Sequence, residues 1–234
     1  MLGAGCPRNI FTECAGREST AEKPIKRRYI MDKIITISRQ YSSGGREIAG
    51  KLAAHYGIPF YDNELISLAA KESGFAEAAF ENAESRASSS LLYSIARGMT
   101  SIGGQEISYN NLSLDDRIYL AQADVIRKVA AEGPCVIVGR CADYILRKLD
   151  NVVNIFVYAD MPFRAERAVR IDGMSADKLE DNILKIDKRR SNYHNFHTGE
   201  KWGKVENYAL CINSGKVGID KAVECIIKYV EGIR

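Results

Sequence analysis

No stretch of this 234-residue chain comes near the roughly 18 to 20 uninterrupted apolar residues of a membrane span, so nothing in it is expected to cross a bilayer. Its first thirty residues also lack the apolar core of a secretory signal, and the expected location is cytoplasmic. An excess of one charge is missing too. The 33 basic and 30 acidic residues leave a net charge of +3, far below the footprint of a dedicated nucleic-acid binder, so no nucleic acid polymer is expected as a partner. The six cysteines, at positions 6, 14, 135, 141, 211 and 225, form no Cys-x-x-Cys pair and find no His partner spacing, so no zinc-type metal site is expected. Cys135, Cys211 and Cys225 sit in apolar runs, where free cysteine acts as a small buried hydrophobe in a reducing compartment. No nucleophile elbow or Cys/His set is visible, which argues against an α/β hydrolase, and there is no internal repeat.

What remains is an ordinary globular composition, 46% hydrophobic and 27% charged, long enough for one α/β core. The patterning starts at Met31, so residues 1–30 are read as an irregular N-terminal extension and 31–234 as the folded domain. From Ile34 onward, short apolar runs alternate with helical periodicity, the mark of βαβ units. Ile34–Ile37, Gly57–Tyr61, Cys135–Val138, Val152–Tyr158 and Leu210–Asn213 make five candidate parallel strands. Ile48, Leu52 and Tyr56 form one helical face after the first strand, and Ile219, Val223, Ile226 and Val230 form a closing helix. Two stretches do not fit the sheet and are placed as a helical cover, about 63–117, and a lid, about 185–204.

Between the first strand and its helix runs Gln40-Tyr41-Ser42-Ser43-Gly44-Gly45-Arg46-Glu47. Free amides of a first helical turn and of glycines point at an anion there, and the helix dipole adds to the attraction. Phosphate is therefore expected on Ser42, Ser43, Gly44, Gly45, Arg46 and Glu47. Against the P-loop pattern G-x-x-x-x-G-K-[ST], Gln40, Gly45, Arg46 and Glu47 occupy the motif positions and only Gly45 matches. A glycine turn that merely starts a helix is the competing reading.

Ile34 through Ala49, then Gly57-Ile58-Pro59-Phe60-Tyr61-Asp62, resemble the cytidylate kinase-like family. So do Asp187-Lys188-Arg189-Arg190, Tyr193, Thr198-Gly199-Glu200-Lys201-Trp202-Gly203 and Asn207 through Ser214. The resemblance implies a P-loop nucleoside monophosphate kinase fold with a cover and a lid. It also implies ATP with Mg2+ as donor and cofactor, and a small phosphate-accepting molecule, such as the nucleoside monophosphate CMP, as acceptor. The donor phosphates would rest on Ser42 to Glu47, with Arg46 in a catalytic position. The acceptor's phosphate would lie near Asp62 and Arg140, and Lys188 and Arg189 would reach the transferring phosphates from the lid. The chain departs from the standard enzymes at Arg46 (their Lys), at Val138 and Cys141 (an acidic residue beside the Gly-Arg pair) and at Leu68 (an Arg); Ala209 replaces an Asp of its own branch.

Each candidate carries a plainer alternative. Lys185, Lys188, Arg189 and Arg190 also fit a solvated helix balanced by Asp177, Glu180, Asp181 and Asp187. Arg140 could pair with Asp143 or Glu47, and Asp62 could cap a helix rather than meet magnesium. Arg117 could reach the acceptor from the cover or pair with Asp115 and Asp116. His194 and His197 read as polar lid residues, and Trp202 as either a base-stacking residue or an apolar anchor for the lid. The expected function is a kinase moving the ATP γ-phosphoryl group to a small acceptor. The alternative is a catalytically impaired nucleotide-binding or regulatory module on the same fold, with oligomeric state left open.

Overall fold

The computed structural model describes residues 32–62, 64–74 and 113–233. The expected extension at 1–30 and most of the expected cover, residues 75–112, lie outside them. The five strands are β1 (Ile34–Arg39), β2 (Phe60–Tyr61), β3 (Val136–Val138), β4 (Val152–Tyr158) and β5 (Leu210–Asn213). All pair in parallel in the order β2-β3-β1-β4-β5, which puts β1 in the middle. Eight helices flank them among the described residues: α1 (Gly45–Tyr56), α2 (Glu64–Ser73), α3 (Leu114–Glu132), α4 (Ala142–Ile145), α5 (Met161–Arg170), α6 (Leu179–Thr198), α7 (Ser214–Val217) and α8 (Ile219–Gly232).

A parallel sheet is covered on both faces, so its strands are apolar throughout while alternate residues feed opposite cores. Ile34 and Ile137 join the core beneath α2, α3 and α4. Ile35, Ile37, Val136 and Val138 join the opposite core, made with Ile48 and Leu52 of α1 and Ala222, Val223 and Ile226 of α8. This is the five-stranded parallel sheet expected from the alternating pattern, in the P-loop kinase architecture that the family resemblance implies.

Two boundaries differ instructively. β1 runs on to Arg39, two residues past its apolar run, because Ser38 and Arg39 still pair with Phe156 and Val157 of β4. Most of the stretch expected as a lid, about 185 to 204, is helical. It is the larger part of α6, a single 20-residue helix that buries Ile183, Asp187, Tyr193 and His194 and places Tyr193 in the α2–α3–α4 core. α3 starts where Ser113 accepts the Asp116 amide at 3.1 Å as N-cap, so Arg117 belongs to a helix packed on the sheet. No described helix is long and apolar enough to cross a membrane.

Candidate phosphate-binding site and arginine cleft

The loop from Gln40 to Glu47 is held from three sides. Its first residue, Gln40, donates its amide to the Val157 carbonyl (3.0 Å) and accepts the Ala159 amide on its side chain (3.2 Å). Buried Ser43 donates to the Gln40 carbonyl at 2.9 Å, and the Ser43 carbonyl accepts from Ser214 Oγ at 2.5 Å. Ser42 takes a left-handed conformation (φ 56°), a strained setting for a non-glycine residue that is commoner at functional sites than elsewhere. Its buried Oγ has no hydrogen-bond partner among the described residues. Gly44, at φ 80°, caps α1 with no side-chain capping bond, which leaves the amides of that helix's first turn pointing out of the loop.

Two carboxylates and their arginines flank the loop. Buried Asp62, just past β2, takes Arg46 Nε at 2.7 Å and Arg39 Nη2 at 3.8 Å. Glu47 receives Arg167 at 2.8 Å and Lys51 at 3.1 Å. Burial alone would raise the Glu47 pKa, but the hydrogen bonds and charges of Arg167 and Lys51 outweigh it and hold the carboxyl below its ordinary value.

A third carboxylate joins α6 to the loop. Asp187 accepts the Tyr41 amide at 2.6 Å and is paired with buried Arg164, whose Nε in turn donates to the Tyr41 carbonyl at 2.8 Å. One helical turn on, Arg190 donates to the Arg39 carbonyl at 3.2 Å and stands 5.5 Å over the Tyr41 ring.

Between α6 and the carboxyl ends of β1 and β3 lies a cleft of about 310 Å³, open solvent included. Its lining includes Ser38, Arg39, Arg140, Arg190, His194 and Trp202. Ligands bind open α/β sheets at this edge. Gly139, Arg140 and Cys141 take three consecutive left-handed conformations (φ 72°, 55° and 56°), two of them non-glycine. Such a turn stores about 1–3 kcal/mol per strained residue and persists where the surroundings over-determine it. Behind it, Asp143 accepts from Ser38 (3.3 Å) and meets His194 Nε2 (3.2 Å). Trp202 packs edge-on to Phe156 at 5.3 Å, as the anchoring reading expected, and also borders the cleft.

The structure therefore brings Ser42 to Glu47, Asp62 and, by way of Arg39, Arg140 into one neighbourhood. Lys188 and Arg189 are exposed on α6, while Asp187 and Arg190 on the same helix are the residues that touch the loop. Arg117 is half-buried in the first turn of α3 and is not part of the cleft lining. Glu47 and Asp143, the two partners considered for Arg140, are engaged with Arg167 and His194. The sequence reading missed Arg39, Arg164 and Arg167 as site residues. Arg164 and Arg167 carried a faint signal, two cations on one face of the helix that follows β4, but only burial separates them from a solvated pair.

With this geometry in view, similarity to known proteins becomes informative. The model of the cytidylate kinase-like family matches residues 34–216, from the first strand through the helix after the last. The chain belongs to the cytidylate kinase-like family. A relative described as cytidylate kinase, from Pyrococcus horikoshii, is 25% identical over 208 residues, covering 86% of this chain and 91% of that protein. The crystal structure of an uncharacterized protein from Eubacterium ventriosum is 31% identical, with a TM-score of 0.63, over 86% of this chain and 99% of that one. Family membership extends through α6, so the tether between Asp187 and Tyr41 lies inside the family domain.

Proposed function

We propose that this protein is a nucleotide-dependent kinase that carries the γ-phosphoryl group of ATP to a small acceptor, with nucleoside monophosphates such as CMP the first to try. The observation behind the reading is a continuous run of guanidinium groups beside an amide-lined loop. Arg46 and Arg39 meet on Asp62, and Arg39 then shares the cleft with Arg140 and Arg190. Phosphoryl transfer asks a protein mainly for positioning and for cations around the moving group, and this arrangement supplies both without a covalent nucleophile.

In this reading Ser42, Ser43, Gly44, Gly45, Arg46 and Glu47 bind the donor phosphates, with Arg46 serving in place of lysine as a forked rather than a point-charge donor. Arg190 brings positive charge from α6, joined from the same helix by Lys188 and Arg189. Asp62, Arg117 and Arg140 serve the acceptor. Magnesium is held by one or two carboxylates together with substrate phosphates, and hard carboxylate oxygens are present in Glu47, at the position of the usual metal-binding hydroxyl, and in Asp62. When bound with ATP the ion would neutralise charge on the β- and γ-oxygens. Glu47 would have to exchange its contacts with Arg167 and Lys51 to hold it.

ADP release from ATP, magnesium and a panel of nucleoside monophosphates tests the proposal, with one or more acceptors expected to give turnover that Arg46→Ala removes. The engagement of Glu47 by two cations favours a second reading, a nucleotide-binding or regulatory module that has lost turnover. ATP binding without ADP release from any acceptor would establish that alternative. Failure of both ATP and GTP to raise the melting temperature would overturn the phosphate-loop reading itself.

A further inference from the structure

Behind the arginine cleft lies a buried ionisable pair that the proposed chemistry does not use. Asp143 and His194 are 6% and 4% exposed and sit on different elements, α4 and α6. The hydrogen-bond partners around His194 bear on its protonation state. Thr198 Oγ1 has two carbonyl acceptors for its single proton, His194 at 2.7 Å and Glu200 at 3.5 Å, and the shorter contact favours the first. The same oxygen accepts the Glu200 amide at 3.0 Å. Its remaining lone pair faces His194 Nδ1 at 3.3 Å, a hydrogen bond only if Nδ1 carries a proton. On the other side of the ring, Nε2 faces a carboxylate oxygen of Asp143 at 3.2 Å and needs a proton as well. With the Thr198 proton on a carbonyl, both ring nitrogens are donors, the arrangement of the imidazolium.

We infer that His194 is a positioning residue: as an imidazolium paired with Asp143, it latches α6 to the turn carrying Arg140 and so holds Arg140 and Arg190 on facing walls of the cleft. Asp143 lies three residues beyond Arg140, and His194 one helical turn beyond Arg190, so the pair fixes the two segments that carry the arginines. The surroundings agree with a charged ring. Burial opposes the charge, but the hydrogen bond and the charge of Asp143, helped by the Glu200 carbonyl, prevail and raise the His194 pKa above its ordinary 6.5. The other groups facing the pair are Tyr208, Arg39, Arg140, Cys141 and Arg190. Burial and the charge of Asp143 push the Tyr208 phenol well up, so it stays neutral. An anion in the cleft would set a charge opposite to the imidazolium's beside His194, which lines it. Anion binding and protonation of His194 therefore favour each other, and by linkage each strengthens the other equally.

The role in acceptor use rests on the kinase reading; the latch itself does not. The first measurement is a pH titration of the ¹⁵N-histidine-labelled full chain by NMR, with His194→Gln to assign the signals. Both His194 nitrogens should be protonated at pH 6, with a midpoint above 6.5 that rises further on adding inorganic phosphate. A midpoint at or below 6.5, or one unmoved by phosphate, overturns the latch. The second measurement follows inorganic phosphate affinity by calorimetry and, with an active acceptor, its KM against kcat. Above the midpoint, affinity in the wild type should weaken by at most about tenfold per pH unit, with KM rising and kcat nearly constant. His194→Gln keeps a neutral donor toward Asp143 and does not titrate, so its profile should be flat at the weaker affinity the wild type reaches above the midpoint. Asp143→Asn should weaken binding already at pH 7. A His194→Gln profile that slopes like the wild type overturns the positioning role. Absence of turnover with every acceptor sinks the kinase reading while the NMR and phosphate data still decide the latch.

Discussion

Position 45 has no room for a side chain: a Cβ there would lie 2.6 Å from Arg39 Cβ and 2.9 Å from its Cγ, atoms fixed close to the central strand. Gly45→Ala is expected to cost about 1–3 kcal/mol, as overpacking does, read as a lower urea midpoint with or without nucleotide. Gly45 is therefore required by packing before any ligand arrives, which means the glycines alone are weak testimony for phosphate. Arg46 is the opposite case. Its side chain is 64% exposed and its pair with Asp62 contributes at most about 1 kcal/mol to folding. Arg46→Ala should leave the melting temperature nearly unchanged. It should also weaken ATP binding by roughly tenfold to a hundredfold, the worth of a charge-assisted hydrogen bond of about 1.5–3 kcal/mol, as calorimetry would show.

Among the elements, α6 decides most. Asp187 ties it to the phosphate loop through Tyr41 and Arg164, and replacing that carboxylate would leave Arg164 as a buried cation without its countercharge. Asp187→Asn should lower stability by about 3–5 kcal/mol in urea unfolding and speed tryptic cleavage at Lys188 to Arg190. An unchanged unfolding midpoint would show that the tether is not what holds the helix. The sequence pointed to this segment as charged and set apart, since its basic and acidic residues outnumber its apolar ones. Membership in the core rests on Ile183 and Tyr193, two side chains too few to make a periodic stripe.

Across the whole molecule, pH and nucleotide should both register in stability. The folded-state pKa of His194 stands above its ordinary 6.5, so the Asp143–His194 pair contributes fully below about pH 6.5 and is lost as pH rises through the higher, folded value. Thermal melts of the wild type from pH 6 to 9 should fall relative to His194→Gln in that upper window, and parallel curves would contradict the assignment. Saturating ATP should raise the melting temperature in the wild type, by about 2.7 kcal/mol of added stability at a hundred times the dissociation constant.

By itself, the sequence determined the strand-loop-helix unit, all five strands and the closing helix, because those depend on local periodicity that a single window of residues displays. Ile35, Ile37, Ile48 and Leu52 sit in the core where their spacing puts them. It also determined that Arg46 and Glu47 stand where lysine and a hydroxyl would be expected. Tertiary structure alone decided which charges meet. Asp62 reaches Arg46 and Arg39, Glu47 reaches Arg167 across 120 residues, and Asp143 reaches His194 across 51. Periodicity reports which face of an element is apolar, whereas the partner of a buried charge depends on which elements pack together and in what register. For that reason the strand-loop-helix unit around Gly45 was legible from the start, and the arginines and the Asp143–His194 pair that meet near it were not.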